Sequence, residues 1–269
     1  MSKANERATM PVGTNTVLDR RTVENANRNL LTLVQPGQRV LDVGCGSGTI
    51  TKGISELLKN EGCVIGIDPS QHLIQLATNR FSSVANLQFE VADINTYLPT
   101  EKFDVITSAR TLQWLANVKE VLEKMVGMLK TGGCLTILDY NHEKIHWSPS
   151  IPESMQQLYD AFLQWRKDAG MDNAIADHLA ELLTDVGLVN ISVTDHTELI
   201  GKNAADFANE IGLWVKVAET RGKQLVQDQY ITEELRLKAI AEYSQWIETE
   251  AQSLKMYQLA VTGYKKPTI

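Results

Sequence analysis

The sequence predicts an α/β protein built on a mostly parallel sheet with helices on its faces. Three observations carry this expectation. Short apolar strand-like runs alternate with stretches whose apolar residues recur at helical spacing, the first strand runs straight into a glycine-rich turn, and the next two strands each end in an aspartate, Asp68 and Asp93. With 269 residues the chain can bury a full core, and its length suggests one domain, residues 1–269, with elaborations.

Composition narrows the classes. At 43% hydrophobic and 22% charged it is that of an ordinary globular protein, and no apolar run reaches the ~20 residues of a membrane-spanning helix. Met1–Arg7 has no apolar signal core, so a cytoplasmic location is expected. A net charge of −7 argues against a large nucleic-acid footprint, which needs a concentrated basic surface. Cys45, Cys63 and Cys134 lie far apart with no C-x-x-C pair, so neither a disulfide framework nor a zinc site is expected.

Residues 1–16 are polar and expected to be mobile. Asp19 to Leu33 reads as a helix, capped by Thr22 or Asp19, with Val23, Leu30 and Leu31 on one face, and Gln35-Pro36-Gly37-Gln38 ends it. Val40, Leu41 and Val43 form the first strand, and Ile50, Ile54, Leu57 and Leu58 recur at helical spacing behind it. Between them Gly44, Gly46 and Gly48 permit positive φ and let a ligand approach the backbone. A dinucleotide fingerprint fails because Thr49 stands where its third glycine is needed. A phosphate-binding P-loop fails because Ile54 stands where its lysine must be.

Cys63–Asp68 is a second strand; Leu73, Ile74 and Ala77 mark a helix; Leu87–Asp93 and Phe103–Ala109 are the third and fourth strands. Val118, Val121, Leu122, Met125 and Leu129 form an amphipathic helix stopped at Lys130-Thr131-Gly132-Gly133, and Cys134–Leu138 is the fifth strand. Helices follow over 153–170 and 174–186, a sixth strand over 189–193, helices over about 203–219 and 232–250, and a final strand over 255–264. Four of the five tryptophans, Trp147, Trp165, Trp214 and Trp246, fall after the fifth strand and read equally well as an aromatic lid or as a second core.

The pattern acid-x-G-x-G-x-G, led by Asp42, resembles the first motif of class I S-adenosylmethionine-dependent methyltransferases. The resemblance continues in order through Asp68, Asp93, Phe103–Leu115 and Gly132–Tyr140, covering residues 38–140. It implies a Rossmann-like seven-stranded sheet, mostly parallel with an antiparallel seventh strand, flanked by helices, and a helical cap built from insertions over 141–172 and 200–250. It also implies S-adenosylmethionine as cofactor and S-adenosylhomocysteine as product.

Carried over residue by residue, Asp42, Gly44, Cys45 and Gly46 would belong to the cofactor loop, and Asp68, followed by Pro69, would accept from the ribose diol. A position about 20 residues past the loop suits that contact. Asp93 would accept from the adenine amine while the Ile94 amide donates to the ring. The backbone of Ser108 or Ala109 would accept from the methionine amino group, with Arg110 and the residues after it bordering the transferable methyl. Trp114 could cover the sulfonium with its π face, and Arg20 or Arg21 could reach the cofactor carboxylate.

His142-Glu143-Lys144-Ile145-His146 matches H-E-x-x-H, in which two histidines one helical turn apart bind zinc. Here the motif leaves a predicted strand and meets Trp147-Ser148-Pro149 at once, which leaves little room for a helix. As a general base, His142 or His146 is the candidate, with Tyr140 and Asp139 as rivals. The expected reaction is methyl transfer to a small-molecule acceptor, oxygen first, nitrogen or carbon second. Ser108-Ala109-Arg110-Thr111 is not the Asn/Asp-Pro-Pro-Tyr segment of enzymes that methylate bases or glutamine, which counts against RNA or protein as substrate. A silent S-adenosylmethionine-binding protein and a zinc hydrolase are the readings of other classes.

Overall fold

A computed structural model of the chain describes residues 3–8, 19–59 and 61–267. The stretch 1–16 falls mostly outside them; within it Lys3–Ala8 is a short helix, α1. The strands are β1 (Arg39–Val43), β2 (Cys63–Asp68), β3 (Leu87–Val91), β4 (Phe103–Ala109), β5 (Leu129–Tyr140), β6 (His146–Ser148), β7 (Leu188–Asp195), β8 (Glu198–Gly201), β9 (Ser253–Met256) and β10 (Gln258–Lys265).

Seven of them form one sheet in the order β3-β2-β1-β4-β5-β10-β7, and β6, β9 and β8 form a small antiparallel sheet. β1 pairs in parallel with β2 on one side and β4 on the other, with Val40 opposite both Val64 and Val105. β10 runs antiparallel between β5 and β7. This is the Rossmann-like, mostly parallel arrangement the sequence predicts. The chain order reverses between β1 and β4, and open α/β sheets place ligands at the carboxyl ends beside such a reversal.

Alternation along the strands buries both faces. Leu41, Val43, Ile65, Ile67, Ile106 and Leu135 pack against Val121, Leu122 and Met125 of the helix Val118–Met128 and against Leu179 and Leu183 of Ile175–Asp185. On the opposite side Val40, Val64 and Val105 meet Val23, Leu30, Ile54 and Leu58. Parallel strands covered on both faces read as near-continuous apolar runs, which is why they were legible.

The predicted helix over 19–33 is two short ones, α2 (Val23–Ala26) and α3 (Leu30–Leu33). Thr22 caps the first in a capping box with Asn25. The break falls where asparagine side chains turn to the sheet: Asn27 Nδ2 donates to Thr107 Oγ1 at 3.5 Å and Asn29 Nδ2 to Thr136 Oγ1 at 2.8 Å. The stretch 255–264 also divides. Ser253–Met256 joins the small sheet and Gln258–Lys265 the large one, with the Tyr257 carbonyl between them accepting from the Asn141 amide at 3.1 Å. The helix predicted over 203–219 breaks at Gly212 into Phe207–Ile211 and Leu213–Gln227.

A second apolar cluster joins the helix Glu153–Asp168, the helices after residue 206 and the small sheet. All four late tryptophans are buried in it. The inserted segments are thus not purely helical: a three-stranded sheet ties them to the main one.

Candidate active site

The glycine loop follows β1. Gly44, Gly46 and Gly48 have φ of 76°, 54° and 80°, in the left-handed region that L side chains rarely adopt. A Cβ on Gly44 would strike the Thr111 side chain, and one on Gly48 would strike the Phe89 ring. The amides of Gly44 and Cys45 both donate to the Ile67 carbonyl, at 2.8 and 3.0 Å, which fastens the loop to the end of β2. The helix Thr49–Leu57 starts immediately behind it.

Asp68 closes β2 beside this loop. Its Oδ2 accepts from the Gly46 amide at 3.1 Å and its Oδ1 from the Ser70 amide at 2.8 Å. Burial raises its pKa against the opposing pull of these two bonds. Each carboxylate oxygen has two lone pairs, so both keep capacity for a further donor. Asp93 is shaped by its own turn: Oδ1 accepts from the Asn95 amide and side chain at 2.9 and 2.8 Å.

A cavity of about 710 Å³ opens between the carboxyl ends of the strands and the second cluster. Gly44, Cys45, Gly46, Asp68, Pro69, Asp93 and Ile94 line one end; Ala109, Arg110, Trp114, Tyr140, His142 and Arg21 line it farther on. Three of the predicted site residues stand elsewhere. Asp42 is buried behind the loop, accepting from Thr51 Oγ1 at 2.7 Å, and burial raises its pKa to about 6. Ser108 is buried with its hydroxyl on the Val43 carbonyl at 2.9 Å, so Ala109 is the strand-end residue at the cavity. His146 is exposed on β6, opposite Lys255 and away from the cavity lining, which does not suit the expected role of a base.

His142 sits instead on a three-residue 3-10 helix, His142–Lys144, so the two histidines of the H-E-x-x-H match do not share a helical face. Its side chain is buried. Its Nε2 contacts Gln113 Oε1 at 2.6 Å, and burial, reinforced by Arg166, holds its pKa well below the ordinary histidine value. Asp139, its rival, is also buried and ties the Gln113 and Tyr140 amides together, each at 3.0 Å.

The arginines divide. Arg20 pairs with Asp206 at the surface, while Arg21 lines the cavity near Tyr140 and Arg110. Arg110, at φ 59°, spends its guanidinium on the Tyr140 hydroxyl at 2.8 Å, the Ala26 carbonyl at 3.0 Å and Glu198 at 3.1 Å. Trp114 lines the cavity, and the guanidiniums of Arg166 and Arg221 lie 4.6 and 4.5 Å from its ring.

Gln113, Phe162, Trp214, Arg221 and Met256 also line the cavity and were not predicted. Trp214 had a signal in the late tryptophans; Met256 had none, since its place depends on the small sheet.

The methyltransferase domain family matches residues 35–204 of the chain. The chain is 32% identical over 167 residues to phosphoethanolamine N-methyltransferase 1 of Arabidopsis thaliana, covering 61% of this chain and 31% of that one. It is 29% identical over 135 residues to malonyl-[acyl-carrier protein] O-methyltransferase of Bacillus cereus, covering 50% and 46%. The matched stretch therefore spans between about a third and a half of these relatives. In structure the chain is similar to a SAM dependent methyltransferase from Aquifex aeolicus, with TM-score 0.55 at 16% identity over 95% of this chain and 98% of that one. A family match over more than half of the sequence, joined to the class I fold, means that this chain belongs to the methyltransferase domain family.

Proposed function

We propose that the chain is an S-adenosylmethionine-dependent methyltransferase acting on a small-molecule acceptor, with oxygen as the leading acceptor atom. One observation carries the reading: the Asp68 carboxylate, oriented by the Gly46 and Ser70 amides, stands at the lip of a glycine loop on a cavity that continues to an aromatic wall.

The residues suit this cofactor. Asp68 offers acceptor capacity for a ribose diol, and Asp93 with the Ile94 amide suits an adenine edge. Residues 44–49 contain no lysine or arginine, as befits a ligand without phosphate. Arg21 is the cation for the cofactor carboxylate, and Ala109 offers its backbone to the amino group. When bound, S-adenosylmethionine supplies a sulfonium methyl as the electrophile.

The chain's own work is then placement. Holding a nucleophile in line with the methyl can supply on the order of 7–11 kcal/mol, and Trp114, Phe162 and Trp214 give the cavity an aromatic wall. We read residues 1–269 as one unit, 38–140 as the cofactor core and 141–172 with 200–250 as the substrate cap.

The test is transfer of label from methyl-labelled S-adenosylmethionine to a panel of phenols, alcohols, carboxylic acids and amines. The relatives' names span an amine and an acyl-carrier substrate, so both kinds belong in the panel. Label in a hydroxylated acceptor, with S-adenosylhomocysteine formed in equal amount, supports the reading. Binding of the cofactor with no transfer to any acceptor would favour a silent binding protein.

A further inference from the structure

Given the methyltransferase reading, on which this rests, we infer that the methyl acceptor is a carboxylic acid, methylated as its carboxylate to give a methyl ester. Arg221, with Arg166 behind it, sets the charge that selects this class.

Charge is spread unevenly along the cavity. Among the described residues its lining holds two carboxylates, Asp68 and Asp93, both at the end proposed for ribose and adenine. Toward the aromatic wall the charged lining is Arg21, Arg110, Lys216 and Arg221. Arg110 is paired with Glu198, and Lys216 with Glu219 on an exposed helix face.

Arg221 is different. It is 4% exposed and shares the Trp114 ring with a second guanidinium, that of the fully buried Arg166. Hydrogen bonds to neutral groups hold both in place. Arg221 Nη1 donates to the Arg7 carbonyl at 2.6 Å and Nη2 to the Ala8 carbonyl at 3.2 Å, while Arg166 donates to Asn173 Oδ1 and the Gln113 carbonyl, each at 2.8 Å. Such bonds orient a guanidinium without cancelling its charge. Burial and the Arg166 charge push the Arg221 pKa down; Asp139 and Asp172 offset Arg166 only in part. An anion bound beside Trp114 is attracted by both cations, the more strongly because they are buried. An alkylamine, with a pKa of about 10, is an ammonium near neutrality and would meet like charge.

Proton accounting narrows the anion to a carboxylate. An alcohol or phenol must lose a proton as it attacks and needs a base to take it. Near the aromatic wall the other ionisable lining residues are Tyr140 and His142. The Tyr140 hydroxyl accepts from Arg110 Nε at 2.8 Å, and burial beside Arg166 keeps His142 from taking up a proton. A carboxylic acid, with a pKa of roughly 4–5, is already ionised and needs no base. An electron pair of its oxygen forms the bond to the methyl carbon, while the carbon–sulfur bond breaks with its pair left on sulfur. No proton moves. An anion and a sulfonium become a neutral ester and a neutral thioether.

Ligand-detected NMR titration of the full chain loaded with S-adenosylhomocysteine tests the charge selection. The probes are benzoate, benzyl alcohol and benzylamine, and octanoate, octanol and octylamine, two sets that each share a skeleton and differ in charge. Near neutral pH each acid should bind at least about tenfold tighter than its alcohol, with the amine weakest. Arg221→Met should remove most of the acids' advantage, and Arg221→Lys, which keeps the charge, should preserve it. Acids that bind no tighter than their alcohols in the wild type, or do not bind, overturn the inference whether or not the variants fold.

Methyl-labelled S-adenosylmethionine tests the bond formed. Label passed to an acid should be released by alkali as methanol, which methyl ethers and methylamines do not give, and its transfer rate should be level across the neutral pH range. Label in an alcohol or amine with none in the acids overturns the inference. Failure to bind S-adenosylhomocysteine, or label in no compound, sinks the methyltransferase reading and the ester step with it, while the order of affinities is still read on its own.

Discussion

The Gly46 amide donates to Asp68 Oδ2 at 3.1 Å, joining the turn after the first strand to the end of the second. With the Ile67 carbonyl held by the Gly44 and Cys45 amides, the loop and the carboxylate form one rigid piece. The groups proposed for ribose binding are thus arranged in advance, so the chain need not spend binding energy on ordering them.

The loop's geometry sets a stability prediction. Gly48 has φ 80°, and an added Cβ would meet the Phe89 ring, whereas Gly132 has φ 77° with nothing within 4 Å of its Cβ position. Gly132→Ala should lower the unfolding free energy by about 1–2 kcal/mol from backbone strain alone. Gly48→Ala should lower it by roughly 2–5 kcal/mol, strain plus overpacking. Urea unfolding checks this, and equal losses would show that the Phe89 contact does not matter.

Arg110 links three parts of the chain: Tyr140 on β5, the Ala26 carbonyl in the N-terminal segment and Glu198 on β8. A lysine has one ammonium and cannot reproduce the fork. Arg110→Lys should destabilise the fold by about 2–4 kcal/mol. A shift of the denaturation midpoint corresponding to less than about 0.5 kcal/mol would put the link in doubt.

Asp42 gives a pH signature. Burial raises its pKa to about 6 from 3.8, against the Thr51 hydrogen bond. Between these values the folded form holds more protons than the unfolded one, so this group's contribution to stability falls as pH rises from about 4 to about 6 and is level above. Asp42→Asn should remove that downward contribution. Unfolding measured across this range in both proteins decides it, and identical slopes would mean that Asp42 is already ionised when folded at low pH.

The glycine loop, Asp68 at the end of β2 and Asp93 just past β3 were legible because their placement is local: spacing, φ and strand polarity reside in a few consecutive residues. What was illegible depended on distant partners. Nothing near Asn27 and Asn29 shows that they would break a helix, because their partners Thr107 and Thr136 lie 80 and 107 residues away. The guanidiniums of Arg166 and Arg221 over the Trp114 ring were equally illegible, since they reach it only in the folded cap. Gln113 carried no motif at all; its place between the Arg110 carbonyl and His142 appears only in the fold.

Calorimetric titration of the wild type and Asp68→Ala with S-adenosylmethionine and S-adenosylhomocysteine tests the central claim most directly. The account predicts saturable binding of both ligands by the wild type and an affinity at least tenfold weaker in the variant, about 1.4 kcal/mol or more, with the two proteins equally folded by circular dichroism. Unchanged affinity in a folded Asp68→Ala, or no binding by the wild type, would contradict it.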